Sequence, residues 1–203
     1  MKELRSSLVM LVLMTALTGI AYPFAVTGLA KLAFPWQAAG SLIERNGHII
    51  GSALIGQQFV TPGYFWSRPS ATTTPDPADA SKSLAAPYNA ENSGASNFAP
   101  SSKALAASLA EREQFLRAAN PSVSSPIPAD LLTSSASGLD PHISPAAARW
   151  QVRRVALARQ IPEAELLQLV EEEQEGRELG ILGEPRVNVL KLNLALDERW
   201  PLR

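Results

Sequence analysis

Ser135, Ser137, Asp140 and His142 stand within one short stretch and are the residue types of a nucleophile, an orienting acid and a base. Catalytic triads are assembled from distant segments, and the chain has neither a Gly-x-Ser-x-Gly elbow nor a Ser-x-x-Lys motif. The same serines, the start of the helix that follows and Arg149, Arg153, Arg154 and Arg159 could instead receive a phosphate. No Gly-x-x-x-x-Gly-Lys-Ser/Thr loop accompanies them. A Ser/Gly/Asp-Pro turn that caps a helix accounts for these residues as well. No residue set therefore points to catalysis.

The chain has 203 residues, no cysteine and two histidines, His48 and His142. Disulfide scaffolds, cysteine-ligated zinc, iron–sulfur clusters and thiol catalysis are excluded, and no HExxH or EF-hand spacing is present. Eighteen basic against nineteen acidic residues give a net charge of −1, which argues against a nucleic-acid binder.

Several elements must position these side chains. Two apolar runs meet at Asn46-Gly47, a hairpin signal, with His48 just past the turn. Low-complexity composition over about 71–86 predicts a mobile loop, and Tyr88–Pro100 an ordered one. Lys103–Ala119 reads as a helix that buries Leu105, Leu109, Phe115 and Leu116 and ends at Asn120-Pro121. Leu131-Leu132-Thr133 reads as a short strand, and Ser144-Pro145 as the cap and first turn of a helix. Another helix opens at Pro162 and holds six glutamates between Glu163 and Glu175, which are expected to neutralise the arginines before them. Val187–Leu190 reads as a strand, and Leu190–Trp200 as a strand or a short helix. The expected class is α+β: one N-terminal transmembrane helix, then a single soluble domain (37–203) with a small β-sheet and about three helices.

From Ser6 to Ala30 the chain carries 25 residues without a formal charge, and Phe34-Pro35-Trp36 follow. A membrane span needs roughly 20 apolar residues, so residues 1–36 read as a cytoplasmic tip and an anchor spanning about 8–33. A cleaved signal peptide is the rival reading, but apolar character continues past Tyr22. Lys2 and Arg5 before the span balance Lys31 and Arg45 after it. The long segment after the span favours a cytoplasmic N-terminus and an extracytoplasmic domain. Thr15, Thr18, Gly19 and Tyr22 recur at helical spacing, a small-residue stripe suited to a partner helix, unless the hydroxyls bond back to their own helix. Pro23 is expected to kink the anchor.

Several blocks together resemble the C subunit of the Kdp-type potassium-transporting ATPase (the KdpC family). They are Tyr22-Pro23, Phe34-Pro35-Trp36-Gln37-Ala38, Ser52–Gln57 with Phe59, Tyr64–Ala71, Tyr88-Asn89 and Ser93-Gly94-x-Ser96-Asn97. Ser135–Asp140 with Ile143, Ala147–Arg159 and Val187–Asp197 complete the set, and Thr72–Ala86 departs from it as an insertion. The resemblance implies a non-catalytic subunit of a bacterial inner-membrane pump that imports potassium. Its implied partners are a channel-like A subunit, a P-type ATPase B subunit and a small F subunit, besides membrane lipid. It implies a catalytic chaperone that raises the ATP affinity of the B subunit, with Gln151 as the nucleotide-contact candidate. ATP thus enters through the ATPase subunit, potassium is the transported ion, and no metal or covalently bound cofactor is implied. Partner or structural candidates in these blocks are Trp66, Arg68, Tyr88, Asn89, Asn97, Ser137, Gly138, Asp140, Arg154 and Arg159. The residues themselves favour a structural or protein-contact role for Gln151, and an extracytoplasmic domain would lie a bilayer away from cytosolic ATP. The alternative function is a stand-alone, membrane-anchored extracytoplasmic hydrolase or sensor domain.

Overall fold

The computed structural model describes residues 2–202, with the backbone alone at Ala80. The chain divides into two compact units, residues 1–52 and 53–203.

In the first unit, Lys2–Ala33 is one apolar helix of 32 residues with no buried side chain, long and apolar enough to cross a membrane. At 1.5 Å per residue it is about 48 Å long, against a hydrocarbon core of about 30 Å. It consists of α1 (Lys2–Met14), a π-helical segment Thr15–Ala21 and α2 (Tyr22–Ala33). The wide turn ends at Tyr22, whose N–H reaches back five residues to Leu17. It directly precedes Pro23, which has no N–H to give and whose ring crowds the carbonyl four residues back. Within this segment the Thr18 hydroxyl donates to Met14 O at 2.7 Å. After the single-turn α3 (Pro35–Ala38), β1 (Leu42–Arg45) and β2 (His48–Ser52) pair antiparallel. Asn46 and Gly47 both take positive φ (53° and 77°), as the expected two-residue turn requires.

In the second unit, β3 (Thr73–Asp76) and β4 (Asp79–Ala85) form an antiparallel hairpin where a mobile loop was expected. Composition alone missed its fastenings. Thr72 is buried and its hydroxyl donates to Ala86 O at 2.6 Å, while the Asp76 carboxylate accepts from Ala78 N at 2.8 Å and closes the turn. Helix α4 (Lys103–Ala119) matches its expected bounds and is capped by Ser102. Only Leu116 of its four expected core residues is buried; Leu105 and Leu109 are half-buried, and Phe115 is 45% exposed and stacks on Trp66. The expected strand at Leu131 is a single helical turn, α5 (Ala129–Leu132), that drives Leu131 into the core.

Strand β5 (His142–Ile143) leads to α6 (Pro145–Arg159), capped by the Ser144 hydroxyl, which accepts from Ala147 N at 3.0 Å. A left-handed Gln160 stops α6, and α7 (Glu163–Glu172) packs back against it through Leu166, Leu169 and Val170. The expected charge neutralisation between these helices reduces to Arg153–Glu163 at 3.9 Å among the described residues. Arg154 and Arg159 point elsewhere, and Glu172 and Glu175 pair with Arg199, Arg186 and Lys191. Strands β6 (Gln174–Glu175) and β7 (Arg186–Asn188) complete a three-stranded antiparallel sheet in the order β5-β7-β6. Asn188 then caps α8 (Val189–Arg199), which resolves the strand-or-helix ambiguity of the C-terminal segment. The class is α+β, with three small sheets among the described residues rather than one. Leu166, Leu169, Val170, Val187, Leu192 and Leu196 form the centre of the core.

Candidate functional site

Among the described residues, 65–70 belong to no helix or strand, and a buried backbone must find its hydrogen bonds elsewhere. Two side-chain amides supply them. Asn193 on α8 accepts from Phe65 N at 2.9 Å and donates to Phe65 O at 3.0 Å. Gln151 on α6 accepts from Trp66 N at 2.8 Å and donates to Trp66 O at 3.1 Å. Each amide reproduces the donor–acceptor pair that a neighbouring strand would present. Gln151 also donates to Ala147 O at 3.3 Å and has no exposed surface.

Arg154, one turn on from Gln151, completes the clamp. Its guanidinium lies 4.0 Å from the Trp66 ring centroid and donates to Gln151 Oε1 at 2.7 Å, Tyr64 O at 2.9 Å and Pro62 O. Among the described residues no carboxylate faces it, and burial lowers its pKa to about 10. Its charge is balanced by carbonyl oxygens and a ring face instead. At the end of α6, Arg159 donates to Gly63 O and to Trp200 O and pairs with Asp197 at 2.7 Å. Asp197 accepts from the Tyr64 hydroxyl at 2.9 Å. Burial, then the bond to Asp197, pushes the Tyr64 phenol up.

A second cluster surrounds Arg68, which pairs with Asp140 at 3.1 Å. Asp140 accepts from His142 N at 3.0 Å, and its Oδ1 lies 3.2 Å from His142 Nδ1. Burial pushes the Asp140 carboxyl up, but the bonds from His142 and the Arg68 charge outweigh it, and the net shift is downward. The Tyr88 hydroxyl donates to Arg68 O at 2.6 Å, and burial first of all raises its pKa to about 12. Ser70 ties the cluster together, donating to Gly138 O at 2.7 Å and accepting from Tyr88 N at 3.0 Å. Gly138 has a φ of +67°, and a Cβ there would lie 2.6 Å from both Gly94 O and Thr72 Cγ2. A Cβ on Gly56 would meet Tyr88 at 2.3 Å. Asn89 donates to Thr73 O at 2.9 Å and thereby fastens the β3–β4 hairpin.

The hydrolase constellation is not assembled. His142 Nε2 faces Glu175 at 3.8 Å, Ser137 accepts from Leu139 N, and the Ser135 and Ser137 hydroxyls face each other at 3.4 Å. The polar side chains of these clusters hold backbone or pair with one another.

Residues 4–198 match the family described as KdpC, the c chain of the K+-transporting ATPase. The chain belongs to this family. Relatives named "Potassium-transporting ATPase KdpC subunit" include one from Bradyrhizobium diazoefficiens, 58% identical over 197 residues and 97% of each chain. One from Methylobacterium nodulans is 58% identical over 98% of each chain, and one from Rhodopseudomonas palustris 57% over 99%.

Of the candidates drawn from the KdpC blocks, Trp66, Gln151 and Arg154 meet in one clamp. Arg68, Tyr88, Ser137, Gly138 and Asp140 meet in the neighbouring cluster, and Arg159 fixes the C-terminal segment. Asn97 donates to Ala95 O in its own turn and, among the described residues, joins neither cluster. Asn193, Tyr64, Asp197, Ser70 and Thr72 carry roles in these clusters that no local sequence signal marks. Asn193 and Asp197 lay within the Val187–Asp197 block, and Tyr64 and Ser70 within Tyr64–Ala71, so the blocks held the signal without the roles.

Proposed function

We propose that this chain is the non-catalytic C subunit of an ATP-driven potassium import pump, anchored once in the bacterial inner membrane. Its N-terminus lies in the cytoplasm and its second unit outside it. The unit acts on the A, B and F partner subunits by protein contact, supporting assembly. Any effect on the ATP affinity of the ATPase subunit travels allosterically, through the partners, rather than through a shared nucleotide.

The burial of Gln151 carries this reading. The side chain that family resemblance offers to a nucleotide has both ends committed to the Trp66 backbone and no exposed atom. Exposing it would strip hydrogen bonds from Trp66 and an acceptor from Arg154. Membership of the KdpC family supports the pump context, with potassium as transported cargo. The anchor's Thr15, Thr18, Gly19 and Tyr22 offer small and hydroxyl-bearing surface to a partner helix.

Orientation is directly testable because the chain has no cysteine. A single cysteine at the exposed Ser96 is expected to react with a membrane-impermeant maleimide in cells whose outer membrane alone is permeabilised. Labelling only after the inner membrane is lysed would place the unit beside cytosolic ATP and overturn the reading.

A further inference from the structure

The connection between β6 and β7 ends in an apolar tip that the fold does not use. Leu179, Ile181 and Leu182 are 88%, 75% and 57% exposed. Exposed leucines on a slack loop would mean little, but this loop is built. Glu178 and Leu182 exchange both backbone hydrogen bonds at 2.9 Å, and Gly180 and Ile181 close tight turns beneath them. Leu179 itself holds a positive φ of 53°, a conformation that disfavours a branched side chain, flanked by Gly180 and Gly183 at positive φ. Two ion pairs brace the arms, Arg177–Glu184 at 2.8 Å and Arg186–Glu178 at 2.8 Å. The result is a stiffened finger that presents aliphatic carbon to solvent at a conformational cost nothing within the unit repays.

We infer that this finger seats in a neutral, apolar recess on another subunit of the same pump. The inference rests on the reading of the chain as a pump subunit. Charge chooses the kind of partner. Each arginine of the finger is matched by a glutamate, so no free positive charge is left for anionic lipid headgroups, and residues 176–184 contain no aromatic ring of the kind that sits at a membrane interface. An uncharged tip with self-neutralised arms fits a protein recess and loses affinity for a charged one. Area excludes a free dimer of this chain. Three aliphatic side chains cover far less than the roughly 800 Å² per partner of a stable interface. So small a contact is effective where the chain is already tethered to its partner, and the N-terminal anchor confines both to one membrane.

The test uses the purified pump complex with a photo-crosslinking benzoylphenylalanine in place of Ile181 in the full chain. The expected product joins this chain to another pump subunit, identified by mass spectrometry. Products with lipid alone, or with a second copy of this chain alone, would overturn the inference. In parallel, Leu179→Asn, Ile181→Ser and Leu182→Ser are combined; asparagine tolerates the left-handed backbone. With the Tm of the isolated chain unchanged, recovery of the other subunits should fall about tenfold, as loss of anchoring apolar contacts does. Native recovery by this variant would overturn the inference while leaving the pump-subunit reading in place. Isolation of the native chain without any pump subunit would overturn both.

Discussion

Replacing Gln151 with leucine is expected to destabilise the second unit by about 3–5 kcal/mol, a large share of the stability of an ordinary domain. Leucine fills similar space, so the loss is one of hydrogen bonds. Trp66 N–H and C=O lose both partners while still buried, and Arg154 Nη2 loses an acceptor in a place with no carboxylate to replace it. Each orphaned group costs about 1–3 kcal/mol, and a charged one more. Gln151→Glu keeps an oxygen toward Trp66 N and Arg154 but cannot donate to Trp66 O or Ala147 O, so its loss should be smaller. Urea unfolding of the full chain in detergent, followed by tryptophan fluorescence, measures both. Equal midpoints for the native chain and Gln151→Leu would show that the clamp contributes nothing.

Gly138→Ala should be nearly as damaging, at about 2–5 kcal/mol. Two effects add: a left-handed φ costs an alanine about 1–2 kcal/mol, and overpacking typically another 1–3. The new methyl would lie 2.6 Å from Gly94 O, a backbone atom that cannot swing aside, and as close to the buried Thr72. The strain would spread through Ser70, which donates to Gly138 O, to the Tyr88 and Arg68 cluster. Gly94→Ala is the control. Its Cβ would have only Asn92 O within reach, at 4.0 Å, and its backbone is not left-handed. Urea midpoints that coincide for the two variants would contradict this account of the loop packing.

The parts of the fold that announced themselves in the sequence did so through local physics. The uncharged run from Ser6 to Ala30 is an anchor-length helix, Asn46-Gly47 makes its turn, and Ser144-Pro145 opens α6. What stayed hidden depends on partners far along the chain. Gln151 and Trp66 are 85 residues apart, and Asn193 and Phe65 128 apart, so no window of sequence could reveal that side-chain amides replace a missing strand. The arginines of α6 misled for the same reason. Their nearest sequence neighbours of opposite charge are the α7 glutamates, but Arg154 and Arg159 turn to the carbonyls of residues 62–64. At Thr72–Ala86 the error was compositional, because threonine and an Asp-Pro turn support a hairpin without apolar residues. Trp66, Gln151 and Arg154 lie in separate sequence blocks, and their meeting at the 64–70 segment exists only in three dimensions.

The central claim is that Gln151 and its neighbours hold the fold and contact no nucleotide. Titration of the full chain in detergent with Mg-ATP, by calorimetry up to millimolar concentration, tests it most directly. The account predicts no saturable heat. Saturable binding at or below about 1 mM, roughly −4 kcal/mol, and its loss in Gln151→Glu with the urea midpoint little changed, would contradict it.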